Sequence, residues 1–467
     1  MSPKRILIQN PLVCATMNDR REEFSGGHIL LEDGVITSIG PEEFTGTADE
    51  TIDARAMVVL PGFINTHHHL YQSLTRNIPR MQNSPLFSWL TDHYQVWREI
   101  DAEAIDVSAR VGLLELMLSG VTTSSDHLYL FPHQTTGELI DVEIEAARDL
   151  GIRFQPTRGS MSLGASEGGL PPDDVVQSEA VITADTRRLL AQYHDDQPGA
   201  MTRISLAPCS PFSVTPELMK STAELAREAG VQIHTHLAET LDEENFCLDR
   251  FGVRPVAYAD QLGWLTSNAW YAHAVHLNDQ EIDAMGAAGA GISHCPSSNM
   301  RLGSGIARIK ELLNVGVKVS LGVDGSASND SGNMLMEMRN ALFLSRLRES
   351  DDWLTARDVL WMSTRGGAAV LGRDDIGELS VGKQADLALF RMDRLEYAGG
   401  QSDPLAALLF SVHTAPVDWL FIQGRAQVRQ GKLSVDMESL IQRHNEVAQA
   451  LLRRSEKRTG IHFGDFS

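Results

Sequence analysis

The chain has 467 residues, 42% of them hydrophobic, which is enough for a large barrel and a second, smaller unit. Lys and Arg total 40 against 62 Asp and Glu, a formal charge of −22, and no basic tract could neutralise a phosphate backbone, so a nucleic-acid polymer is excluded as a partner. The apolar run near the N-terminus is broken by Gln9, Asn10 and Pro11, and the four Cys lack any C-x-x-C spacing; a soluble, cytoplasmic protein with reduced thiols and no membrane partner is expected.

In chain order, the stretch from Lys4 to Ala56 carries strand-like segments at Ile6 to Ile8 and His28 to Ile39. Short strands return late in the chain, at Ala385 to Phe390 and Trp419 to Val428, separated by glycine-containing turns. Such pieces predict one small β-sandwich built from both chain ends, residues 1–61 and 375–467, closed by a helix over Met437 to Arg454. Between them, over residues 62–374, short β-branched runs alternate with longer helical patterns, which predicts a parallel α/β architecture. Eight runs qualify as strands: Met57 to Thr66, Val121 to His127, Ile152 to Arg158, Arg203 to Pro208, Val231 to His236, Ala269 to His273, Gly291 to Pro296 and Val317 to Asp324. Eight strands with intervening helices predict a distorted (β/α)8 TIM barrel. Helical periodicity is plain over Ala102 to Leu118 and Pro216 to Ala229, and Gly120, Gly151, Gly230, Gly289 and Gly316 punctuate helix-to-strand junctions. The Gly/Pro-rich Ser162 to Asp174 is too long for a minimal connection and is expected to serve as a lid or substrate loop.

A barrel of this kind places its active site at the C-terminal ends of the strands, and chemistry-bearing side chains collect there. The first run ends in His67-His68-His69, where alternation points His67 and His69 one way and His68 the other. The fifth ends in His234-Thr-His236-Leu-Ala-Glu239, the sixth in His273 and the eighth in Asp324. Three histidines and an aspartate can hold a divalent metal with a position left for water. His236 lies nearer the strand end than His234 and is taken as the ligand, with His234 as a packing or supporting residue. His68, His276 and His294 read as ordinary barrel or loop histidines.

This constellation resembles the amidohydrolase superfamily over nearly the whole chain. The matching pieces are Pro61 to Leu70, His236-Leu-Ala-Glu239, Ala272-His273, His294-Cys-Pro-Ser-Ser-Asn299, Leu321-Gly-Val-Asp-Gly325 and Gly377 to Asp386. The resemblance implies one divalent metal, Zn2+ before Fe2+, on His67, His69, His236 and Asp324. Binuclear members carry a bridging lysine on strand four, where Leu206-Ala-Pro-Cys-Ser210 stands here. It also implies an aminohydrolase and a homo-oligomer. Metal binding lowers the pKa of a water to about 7. Asp324 would accept a proton from that water, Glu239 would carry protons to a ring nitrogen and the leaving amine, and His273 would steer the water or stabilise the tetrahedral species.

Finer resemblance, in His69 to Arg76, Ser125 to Tyr129, Thr157 to Met161, Ala207 to Ser213, Asn299 to Ala307 and Asp324 to Asp330, is to the branch of the family that deaminates 8-oxoguanine to urate and ammonia. A pterin, guanine or hydroxytriazine aminohydrolase is the alternative reading, and a non-catalytic barrel assembly protein a remote one. Gln72, His127 and Arg158 are the candidate contacts to a purine edge, with Arg158 equally placed to pair with a local carboxylate and Trp89 either covering the purine face or lying in the core.

Overall fold

The computed structural model describes residues 5–133, 138–348, 352–411 and 415–464. Eight parallel strands form the central sheet: β1 (Phe63–Asn65), β2 (Val121–Leu128), β3 (Arg153–Ser160), β4 (Ser205–Pro208), β5 (Ile233–Leu237), β6 (Ala269–His273), β7 (Gly291–His294) and β8 (Lys318–Leu321). Each pairs with its neighbour in sequence, and the first and last are joined where Thr66 N–H donates to Leu321 O at 3.1 Å and Asp324 N–H to His67 O at 3.0 Å. The sheet is thereby a closed barrel, as eight βα units dictate.

The helices follow from periodicity and caps. α1 (Leu86–Trp97) and α2 (Ala102–Leu118) lie between β1 and β2, and α2 begins at Asp101, whose side chain accepts from Ala104 N–H. α3 (Leu139–Leu150) ends on Gly151 at φ 69°, a left-handed turn that a Cβ would strain. α4 (Pro216–Ala229) has Pro at its first position and a Thr215 cap. Further along, α5 (Leu241–Phe251) is capped by Thr240, and α6 (Met334–Ser345) by Asn333.

The expectation of one barrel strand over Met57 to Thr66 needs correction. The chain breaks at Gly62: Met57–Pro61 belongs to another sheet, and only Phe63–Asn65 enters the barrel. A Cβ at Gly62 would lie 2.2 Å from Thr122, so only glycine lets the backbone cross that close. Met57–Pro61 pairs in parallel with Val13–Ala15 on one side and antiparallel with Leu387–Arg391 on the other, inside a seven-stranded sheet. A four-stranded sheet of N-terminal strands faces it, and Ile8, Ile29, Leu31, Val59, Leu387 and Phe421 fill the space between. The last helix, α7 (Met437–Thr459), leaves this sandwich and buries Val447 and Leu451 in the main core beside α1 and α2.

The two units are latched by a buried ion pair. Arg153 on β3 donates to both oxygens of Asp386, at 3.0 and 3.2 Å, and to the carbonyls of Gly199 and Ala200 at 2.8 Å each. Asp386 in turn accepts from Gln423 N–H at 2.7 Å, and its own carbonyl accepts from Gly62 N–H.

Candidate metal and active site

His67, His69, His236 and Asp324 converge at the C-terminal mouth of the barrel, all buried. His69 Nε2 lies 3.2 Å from His236 Nε2 and 3.3 Å from Asp324 Oδ1, while His67 Nε2 lies 3.4 Å from the same oxygen. What occupies the other nitrogen of each ring fixes the tautomer. His69 Nδ1 faces His127 O at 2.8 Å and His236 Nδ1 faces Cys209 O at 2.7 Å; carbonyls only accept, so both Nδ1 atoms carry the hydrogen. Burial pushes the proton affinity of both rings down, His236 to about 3, so they are neutral and each Nε2 presents a bare lone pair. His67 Nε2 has no hydrogen-bond partner among the described residues. Lone pairs aimed at one another and at a carboxylate oxygen repel unless a cation lies between them, so this donor set fits a divalent metal. The nitrogen and oxygen donors suit zinc or iron(II) alike.

Strand-end geometry holds these groups. Asn65 Oδ1 accepts from Val323 N–H at 2.9 Å, which ties β1 to the turn bearing Asp324. Ala238, His273 and Asp324 all have left-handed backbones, at φ 54°, 74° and 61°, so the chain turns sharply where it delivers Glu239, His273 and Asp324 to the mouth. Burial opposes ionisation of Asp324, and the neighbouring His273, whose proton affinity its two carboxylates raise, favours the anion.

Glu239 and His273 face this cluster from one side. His273 Nε2 is 3.6 Å from Glu239 Oε2 and 3.8 Å from Asp324 Oδ2, and its Nδ1 lies 2.9 Å from Asn299 Oδ1. Burial would lower its proton affinity, but the two carboxylates outweigh that and raise it. Burial lifts Glu239 to about 7, with the charge of Asp324 adding to the shift and His273 opposing it. A carboxyl poised near neutrality is suited to taking and giving a proton.

A small cavity opens on these residues. Leu86, Trp89, Leu90, Phe212 and Leu302 supply much of its wall, and Gln72, Glu239, His273 and Ser328 its polar lining. Gln72 Oε1 and Trp89 Nε1 are buried without a hydrogen-bond partner among the described residues.

The other two substrate candidates are placed elsewhere. Arg158 is fully buried and consumed by Asp185 at 2.6 Å, Gln177 at 2.8 Å and the face of Phe131 at 4.2 Å. His127 lies stacked on His236, with ring centroids 5.0 Å apart, and its Nε2 is bound to Ala207 O at 2.9 Å; neither residue lines the cavity. The Ser162 to Asp174 loop also stays off the cavity wall, folding on itself and against Phe212 and Ser213, while α1 covers the mouth.

One residue escaped the reading of the sequence. Glu243, buried on α5, accepts from Ala238 N–H and Glu239 N–H at 2.8 Å each, clamping the turn that presents Glu239. The signal was the Thr240-x-x-Glu243 spacing at a helix start.

A family model described as amidohydrolase family matches residues 58–426, most of the chain. The chain belongs to the amidohydrolase family. Within it, the sequence is 49% identical to an 8-oxoguanine deaminase of Pseudomonas aeruginosa, over 96% of this chain and 99% of that one. It is 35% identical to a hydroxydechloroatrazine ethylaminohydrolase of a Pseudomonas species, over 87% of each chain. Among solved amidohydrolases, an atrazine chlorohydrolase from Arthrobacter aurescens TC1 complexed with zinc superposes with a TM-score of 0.89 at 35% identity, covering 96% of this chain and 99% of that one. The barrel and the sheet from both termini are thus those of the family, and the chain is a hydrolytic enzyme of it.

Proposed function

We propose that this amidohydrolase deaminates 8-oxoguanine to urate and ammonia, with one divalent metal, zinc, held by His67, His69, His236 and Asp324. The observation that carries the substrate is the 49% identity, end to end, to an 8-oxoguanine deaminase. When bound, the metal supplies a water acidic enough to ionise near neutral pH. Asp324 takes a proton from that water at Oδ2, the oxygen that faces His273 and accepts from Ser328 Oγ–H at 3.3 Å. Glu239 gives its carboxyl proton to the ring nitrogen, takes a second from the hydroxyl added to the ring and passes it to the departing amine, so that ammonia leaves a ring carbonyl behind, and the proton held by Asp324 recharges Glu239 for the next turnover. His273, whose proton affinity Glu239 and Asp324 raise, faces the developing negative charge. The apolar wall takes the purine faces, and the unpaired Gln72 Oε1 and Trp89 Nε1–H match a ring edge that offers both donors and acceptors. In this reading residues 62–374 are the catalytic unit and the two ends its frame, in a cytoplasmic homo-oligomer.

The test is a substrate panel. Zinc-loaded protein is incubated with 8-oxoguanine, guanine, isoxanthopterin and a hydroxytriazine, following ultraviolet spectra and ammonia. Urate formed from 8-oxoguanine, with the highest kcat/KM of the four, is expected; a preference for another ring would move the assignment to that ring.

A further inference from the structure

His234, the inward histidine of β5 that the metal site leaves over, ends a directional chain of hydrogen bonds. Its Nδ1 lies 2.9 Å from Trp270 O, which only accepts, so the hydrogen sits on Nδ1. A second hydrogen on Nε2 would bury an uncompensated charge among neighbouring imidazoles, so Nε2 is an acceptor. His67 Nδ1 lies 2.8 Å from that Nε2 and must be the donor, which leaves His67 Nε2 bare toward His69, His236 and Asp324. Each member is fixed in turn. The His234 ring lies flat on Trp270, with centroids 4.4 Å apart and planes 17° from parallel, and Trp270 Nε1–H donates to Thr66 O at 3.1 Å, next to His67 in the chain.

We propose that His234 is a positioning residue that selects the metal-binding tautomer of His67 and aims its ring, through the chain Trp270 O, His234, His67. This rests on the reading of His67 as a metal ligand. A carboxylate or carbonyl commonly takes this place behind a metal-bound histidine; here a neutral imidazole does so, passing the directionality of a backbone carbonyl across the barrel from β6 to β1. The three-histidine cluster of His67, His127 and His234 also brings nitrogens near one another, but it does not suit a second cation. Two nitrogens sharing a tetrahedral zinc stand about 3.3 Å apart, given zinc–nitrogen bonds of about 2.0–2.1 Å, whereas 2.8 Å is the length of a hydrogen bond.

The experiment compares wild type, His234→Leu and His234→Gln. Leucine removes the acceptor, while glutamine puts an amide oxygen near the place of Nε2. Metal-free full-length protein is titrated with Zn2+ against a chromogenic chelator, and the melting temperatures of the metal-free forms report folding. His234→Leu is expected to weaken zinc binding about 10–100-fold, with His234→Gln recovering most of the loss. Wild-type affinity in His234→Leu, or equal weakening in both variants, would overturn the tautomer role. Should His234→Leu not fold, His234→Gln against His234→Asn carries the comparison, because the shorter amide cannot reach His67; equal affinities in that pair overturn the proposal. A wild type that binds no zinc would instead bring down the metal-site reading on which the proposal stands.

Discussion

Glu239 combines three conditions that a proton carrier needs: burial, a neighbouring cation, and a rigid mount. Its backbone N–H is held by Glu243 and its carboxyl faces His273, so the side chain has little freedom to lose when substrate binds. Glu239→Gln keeps size and polarity but cannot cycle a proton. It is expected to lower kcat at least about 100-fold while zinc content, read by elemental analysis, stays at the wild-type level. A variant with full turnover would remove the shuttle role. At this scale the sequence was most informative where a residue acts through its place on a strand: alternation directs His67 and His69 to the mouth, and strand-end position His236, His273 and Asp324. Arg158 shows where that logic stops. Its strand position pointed toward substrate, but Asp185, on a helix 27 residues away in sequence, neutralises it, and no periodicity reveals which carboxylate an arginine meets.

Among the elements, α6 links the last two strand ends. Glu337 on this helix accepts from Ser297 N–H at 3.0 Å and from Asn329 at 3.0 Å, joining the short helix Pro296–Arg301 after β7 to the loop after β8. Burial raises its pKa from 4.5 to about 8, with the charge of Asp324 adding to the shift and the hydrogen bonds from Ser297 and Asn329 opposing it. The folded state therefore binds more protons than the unfolded chain between pH 4.5 and 8, and the stability contributed by the protonated group falls as pH rises through that window. Glu337→Gln is expected to show a flatter dependence of unfolding free energy on pH across it, measured by urea denaturation at each pH beside wild type. Parallel curves would show that Glu337 does not titrate there. Element identity was legible because caps and periodicity agree: the bounds of α2 and α4 match the sequence reading at both ends. The first strand was not, because an unbroken apolar run carries no mark of a change of sheet. Only the glycine at 62 records it.

Over the whole molecule, the pair of Arg153 with Asp386 is a fully buried member of the polar links that join barrel and sandwich. Removing Asp386 leaves the Arg153 guanidinium buried without its direct partner. Asp386→Ala is therefore expected to cost about 3–5 kcal/mol of unfolding free energy, read by guanidinium denaturation. A loss under about 1 kcal/mol would mean that the guanidinium finds adequate partners in the carbonyls of Gly199 and Ala200. No helix among the described residues is long and apolar enough to cross a membrane.

The crossing at Gly62 has a consequence for the order in which the protein can be made. Pro61 pairs with Leu387, more than three hundred residues further on, so the ribosome finishes the early edge of the sandwich long before its mate exists. At about 5–20 residues per second the wait is on the order of 15–65 s, during which Met57 to Leu60 present an open apolar strand edge. Nascent chains stalled before residue 387 should thus hold to holdase chaperones, and release should coincide with emergence of Leu387 to Ile422 rather than with completion of the eight barrel strands.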